Sequence, residues 1–286
     1  MSATLVKELI DAGIHFGHRV SRWNPKMAPY IFGKRNLIHI VNVKETLRGI
    51  LLAKKFVTQV VAGGKDVLVV GTKRQARKAV EEAVTEVQMH YVNDRWLGGT
   101  LTNFREIRKR VGRLDELEHL DSEGRLDAYS KKEGSSLRRE MRKIRRNLGG
   151  IRRMTQLPGV LFIIDERRET IAVKEAKKMG IPVICLIDTD SDPDQIDIPI
   201  PGNDDAMRAI ELIVKELCAS VKEALGMRTK LSDEAAAQQP RRRSSRDATA
   251  RAEDASQAGE DVPSEAEIAA GDDKPVEPQA GEAGQA

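Results

Sequence analysis

Cysteine is scarce: the 286-residue chain has two. Cys185 sits in an apolar, strand-like run and Cys218 in a helix-like one, with no CxxC spacing. A disulfide framework is therefore excluded, and both residues read as buried free thiols. Long hydrophobic runs are missing too. No stretch approaches the roughly 18 apolar residues a membrane helix needs, and the N-terminus has no basic region followed by a continuous apolar run. A cytoplasmic protein is the expectation. The phosphate-cradling patterns GxxxxGK[ST] and GxGxxG are also absent. Gly71, Thr72 and Lys73, which follow an apolar run, guarantee only a helix start with a basic first turn.

What the chain has in quantity is charge, unevenly spread. Lys and Arg number 48 against 44 Asp and Glu, a formal net charge of +4. Residues 104–157 carry 16 basic against 9 acidic side chains, residues 230–286 carry 7 against 13, and the remainder 25 against 22. A basic middle segment, a near-neutral scaffold and an acidic end make up the total, and a basic protruding element suggests a nucleic-acid partner. A solvated charged helix pair is the alternative.

The run RWLGGTLTNF, Arg95 to Phe104, combines a cation, a large aromatic, a double glycine and a helix start. Gly98 and Gly99 permit backbone angles that a Cβ penalises, and Thr102 or Asn103 can cap a helix beginning at Phe104. Such a turn can press backbone amides against something outside it. No acid–base pair or nucleophile follows in the run, so an anionic surface is its expected object rather than a reacting substrate.

Two strand–helix–strand units frame the basic segment. In the first, Val67 to Val70 form a buried-type strand, Gly71 turns the chain into a helix running to about Gln88, and a short strand follows at His90 to Val92. In the second, GVLFIID ends at Asp165, a helix covers roughly Glu169 to Met179, and PVICLID ends at Asp188. With a strand near Leu37 to Val41 and a helix from Lys44 to Val61, the pattern predicts a parallel sheet covered by helices. A last helix is expected from about Asp205 to Leu225, capped by Asn203 or Asp204 and preceded by the rigid IPIPG.

Between the units, Phe104, Ile107, Val111, Leu114 and Leu117 recur at helical spacing, as do Leu137, Met141, Ile144, Leu148 and Ile151. Gly124, Gly134 and Ser135 lie in the connection, which predicts an antiparallel helical hairpin with a narrow apolar seam. Arg138, Arg142 and Arg145 leave cationic faces on its second helix. From Leu231 onward the composition is Ala, Gln, Ser, Glu, Asp, Gly and Pro without periodicity, which predicts a disordered tail. Its RRRSSR run, Arg241 to Arg246, reads either as solvated charge or as a phosphate contact.

Aromatic and cationic residues interleave near the N-terminus, where His15, His18, Trp23, Tyr30, Arg19, Arg22 and Lys26 fall within a short stretch. Such a set suits unpaired RNA, whose bases stack and whose phosphates need neutralising, and equally describes a packed irregular loop. His15 and His18 could share a metal if carboxylates converged on them, but no third ligand is identifiable. DTDSDPD, Asp188 to Asp194, places carboxylates after a strand, which is the best argument for an enzyme. The calcium-loop reading fails because Pro193 and Pro199 occupy the positions of its glycine and its bidentate glutamate. An aspartyl-phosphate reading of Asp188 and Asp190 is disfavoured by Asp192, where that motif wants Thr or Val.

Six separated motifs together resemble the bacterial ribosomal protein S2 family of the small ribosomal subunit. They are DAGIHFGH from Asp11, WNPKM from Trp23, YIF from Tyr30, VGTK from Val70, YVNDRWLGGTLTNF from Tyr91 and IPIPGNDDA from Ile198. The match covers about residues 1–229. It departs from the family pattern at Asp190, where Asn is usual after Asp-Thr, and the acidic end lies outside it.

The resemblance implies a flavodoxin-like α/β domain over 1–103 and 158–229, a projecting coiled-coil hairpin over 104–157 and a tail over 230–286. It implies a non-enzymatic, ribosome-bound constituent of the small subunit that contacts rRNA and neighbouring ribosomal proteins. One of those neighbours is the OB-repeat protein that captures messenger RNA. No cofactor, small-molecule substrate or membrane partner is expected. The residues expected to meet RNA are Arg19, Arg22, Trp23, Asn24, Lys26, Lys73, Arg74, Arg95, Trp96, Thr100, Asn103, Arg105, Arg138, Arg142 and Arg145.

Overall fold

The computed structural model describes residues 2–238. In chain order these form α1 (Ser2–Asp11), β1 (Phe16–Arg19), β2 (Ile31–Arg35), β3 (Ile38–Val41), α2 (Val43–Ala62), β4 (Val67–Val70), α3 (Arg77–Glu86), β5 (His90–Val92), α4 (Phe104–Ser122), α5 (Lys131–Leu148), β6 (Val160–Ile164), α6 (Thr170–Met179), β7 (Val183–Ile187), β8 (Ile198–Pro201) and α7 (Met207–Gln238).

Five strands form one parallel sheet in the order β5-β4-β6-β7-β8. Every residue of β4, β6 and β7 is buried, because helices cover both faces. Side chains alternate across the sheet. Val67, Val69, Phe162 and Ile164 join the core under α2, α3 and α7. Leu68, Val70, Leu161 and Ile163 join the core under α6, Trp96, Leu101 and the first turns of α4. That two-sided burial is why these strands read as unbroken apolar runs. Fully burying one such side chain contributes roughly 1.5–3 kcal/mol, so the central strands anchor the fold.

Several expectations are corrected. The strand near Leu37 to Val41 does form, as β3, but it pairs antiparallel with β1 and β2 in a separate three-stranded sheet. The reason is a tight turn: Asn36 and Leu37 both adopt positive φ (50° and 62°), which folds β2 back onto β3. The fifth parallel strand is instead β8, within the segment IPIP that reads as a rigid lead-in to the last helix. It is an edge strand, where proline is tolerated. Helix α3 begins at Arg77 rather than directly after Gly71, because residues 73–77 make a separate turn in which the Ala76 and Arg77 amides donate to the Lys73 carbonyl.

The connection between α4 and α5 is shorter than expected. Gly124, at φ 68°, ends the first helix, whereas Gly134 lies inside α5. A capping box explains the early start: the Ser130 hydroxyl accepts from the Glu133 amide, and the Ser130 amide donates to the Glu133 carboxylate. The two helices pack through Leu114, Leu117 and Met141, flanked by Leu137 and Ile144. The last helix continues to Gln238, past the boundary expected at 229. The RRRSSR run and the rest of the acidic end lie outside the described residues.

Candidate nucleic-acid interface

The sharpest local structure is the Arg95–Asn103 turn. Of its two glycines only Gly99 takes a positive φ, 92°, a conformation that strains any residue with a Cβ. The turn does press its amides against an anion, but the anion is internal. Glu175 of α6, buried on the sheet-facing side of that helix, accepts from Gly99 N at 2.7 Å, Leu101 N at 3.0 Å, Thr102 N at 3.2 Å, Thr102 Oγ1 at 3.2 Å and Trp96 Nε1 at 3.2 Å. Burial alone raises a carboxyl's pKa. Here the amide donors outweigh it and hold Glu175 below the usual carboxylate range.

Two of the expected contact residues, Trp96 and Thr100, are buried within this turn. Trp96 is buried with its indole nitrogen on Glu175, and the Thr100 hydroxyl donates to the Leu97 carbonyl at 2.6 Å. Asn103 occupies the N-cap position of α4 without a side-chain cap, and its amide donates to the Gly99 carbonyl. Arg95 and Arg105, by contrast, are exposed. Glu175 escapes a reading of the sequence because it is one charge in an amphipathic helix. The available signal is its position on the apolar stripe of Ala172, Val173 and Ala176.

The N-terminal segment behaves similarly. Asn24 caps the following 3-10 turn by accepting from the Lys26 amide at 3.1 Å, and its own amide donates to the Thr189 carbonyl at 2.8 Å. The Trp23 ring lies 5.1 Å from that of His39. The Lys26 ammonium is held by Asp192 at 3.0 Å and Asp194 at 2.6 Å, so its charge is already compensated. Arg19 and Arg22 are exposed and line a concavity of about 510 Å³ with His18, Asp188 and Asp205.

Behind that concavity the carboxyl ends of the strands bring together a buried acidic cluster. Lys73, expected to meet RNA, instead sits among Asp204 at 2.9 Å, Asp205 at 2.6 Å and Asp165 at 3.6 Å. Burial lowers its pKa, and those carboxylates overcome the effect and raise it. Asp204 is pushed up by burial and by Asp165 and Asp188, against the pull of Lys73. His18 Nδ1 lies 2.8 Å from Asp188, and that hydrogen bond raises its pKa from 6.5 to about 9.

His18, Asp188 and Asp204 each offer a ligand atom within 4.8 Å of the others and could hold a cation. His15, the other half of the expected histidine pair, is not in that group; its ring centroid lies 4.2 Å from that of Phe16, with the planes tilted by 37°. Asp190, the residue that departs from the family pattern, pairs with Arg167 at 2.7 Å, which neutralises the added charge.

On the helix pair, Arg138 lies 3.4 Å from Asp121 and Arg145 lies 2.8 Å from Glu118, which also takes Arg152 at 2.8 Å. Both expected contacts thus serve the α4–α5 association. Arg142 is exposed and makes no ion pair among the described residues, and the same holds for Arg19, Arg22, Arg74, Arg95 and Arg105. Six of the 15 expected residues therefore present uncompensated cations, while Lys26, Lys73, Arg138 and Arg145 are committed to carboxylates.

No helix among the described residues is long and apolar enough to cross a membrane. The sequence profile of the family described as ribosomal protein S2 matches residues 9–224. A small ribosomal subunit protein uS2 from Rhodopirellula baltica is 60% identical over 221 residues, 77% of this chain and 85% of the relative. One from Geotalea uraniireducens is 49% identical over 223 residues, 78% of this chain and 87% of the relative.

Proposed function

The chain belongs to the ribosomal protein S2 family, and on that footing we propose that it binds small-subunit rRNA and helps recruit the OB-repeat protein that captures messenger RNA. Its role is structural, in the small subunit and in translation, rather than enzymatic.

The observation that supports rRNA binding is the division of its basic residues. Lys73 and Lys26 balance internal acids, whereas Arg19, Arg22, Arg74, Arg95, Arg105 and Arg142 are exposed and, among the described residues, face no carboxylate within ion-pair distance. Exposed guanidinium groups on a rigid frame neutralise phosphates by releasing counterions. Such contacts fix position without reading base sequence. The β5-β4-β6-β7-β8 order supports a flavodoxin-like domain, and the packed α4 and α5 support the reading of residues 104–157 as a coiled-coil hairpin reaching from it.

Sucrose-gradient sedimentation of a lysate at moderate and high salt tests the proposal. Cofractionation with small subunits, lost progressively as salt rises, is the expected result. A chain that stays at the top of the gradient at low salt would overturn it.

A further inference from the structure

The groove between α4 and α5 near the sheet carries a set of cations that the density of arginines along α5 does not pick out. Arg110 and Arg113 fall three residues apart on α4, and Glu140, Lys143 and Asn147 recur at three and four residues on α5, so each helix turns one face into the groove. Arg95 closes the end beside the Glu175-held turn. The cavity measures about 470 Å³ and has Leu148 in its lining.

Two properties separate this groove from the rest of the helix pair. Arg95, Arg110 and Lys143 have no carboxylate within ion-pair distance among the described residues, and only Arg113 is engaged, with Glu116 at 2.9 Å. The faces bearing Arg138 and Arg145 are already neutralised by Asp121 and Glu118. Second, a single carboxylate, Glu140, opposes four cations in the lining.

We infer that this groove is a binding site for the phosphate backbone of RNA, in which Arg95, Arg110 and Lys143 take phosphates. The inference rests on the reading that the chain binds small-subunit rRNA, and it assigns that binding to a face outside the paired arginines. Arg95 is held in place indirectly by Glu175, whose carboxylate fixes the turn from Trp96 to Thr102.

Filter binding of the full chain to a small-subunit rRNA transcript, titrated with salt, tests it. Arg110→Gln with Lys143→Gln is expected to weaken binding and to flatten the log K against log salt slope by roughly two, about one for each phosphate that is no longer neutralised. Glu140→Gln is expected to tighten binding at low salt, a gain that misfolding cannot imitate.

Wild-type affinity and slope in the double variant, with no gain from Glu140→Gln, would overturn the groove while leaving rRNA binding intact. A wild-type chain that binds no transcript and sediments apart from small subunits would remove the rRNA reading, and the groove with it.

Discussion

The Gly99 amide donates to Glu175 Oε1 at 2.7 Å across 76 residues of sequence. That bond and its four companions tie the entry to α4 onto α6. The basic helix pair is therefore attached to the sheet through one buried carboxylate as well as through apolar contacts.

Glu175→Ala should cost about 3 kcal/mol or more of folding free energy, because it leaves buried amide and indole donors without an acceptor. Glu175→Gln should cost less, since one amide oxygen still accepts. Urea unfolding of the full chain measures both. Two variants within about 0.5 kcal/mol of wild type, the spread of ordinary surface changes, would show that the network carries little.

The same carboxylate sets an acid limit. Its folded pKa lies below the ordinary 4.5, so its contribution is fully present above about that pH and is lost as pH falls through the lower folded value. The stability gap between wild type and Glu175→Gln should be constant from neutral pH down to about 5 and should shrink in stronger acid. A gap that widens on acidification would contradict the assignment.

Leu117 is fully buried in the small cluster with Leu114 and Met141, apart from the two cores flanking the sheet. Leu117→Ala should loosen this seam locally, at a cost of roughly 2–5 kcal/mol within the pair. Hydrogen exchange is expected to accelerate in α4 and α5 while β6 and β7 stay protected. Uniform acceleration would mean that the pair and the sheet unfold as one unit.

Arg19→Gln with Arg22→Gln removes from the rim of the N-terminal concavity two exposed cations that are unpaired among the described residues. Thermal stability should be unchanged within about 0.5 kcal/mol, and the salt slope of rRNA binding should fall by roughly two. Lys26→Gln, which breaks an ion pair with Asp192 and Asp194, should leave that slope unchanged.

Truncation after Gln238 should leave incorporation into small subunits nearly unaffected, because the family match ends at residue 224. Gradient fractions from cells carrying only the shortened chain check this. Loss of cofractionation would assign the acidic end a role in assembly.

The central strands are legible in the sequence because burial on both faces leaves a continuous apolar run, as in Val67 to Val70 and Val183 to Ile187. The helix pair is legible because one seam at helical spacing repeats on each side of a glycine-containing connection. What escapes is non-local. Whether β3 joins the parallel sheet depends on the positive-φ turn at Asn36 and Leu37, not on its own residues. In the interface, a lysine looks the same whether it faces phosphate or aspartate. Lys73 meets carboxylates contributed by residues 165, 204 and 205, which sequence spacing cannot bring together. Glu175 and its donors meet only once the sheet has formed.

The insertion of α4 and α5 between β5 and β6 also shapes how the chain assembles. Val67 of β4 pairs with Val160 of β6, so the heart of the sheet waits for a partner that emerges long after its own synthesis. Each helix of the pair is local in sequence, and Ser130 and Glu133 start the second one without outside help. Once they fold back, the Arg108 side chain reaches the Arg152 carbonyl at 2.9 Å, and the two ends of the insertion lie side by side. The remaining polymer loop is then far shorter than the residue count between the strands, and the entropy of closing it falls accordingly. The packed α4–α5 pair, which carries so many of the arginines, thus also shortens the loop whose closure brings β4 and β6 together.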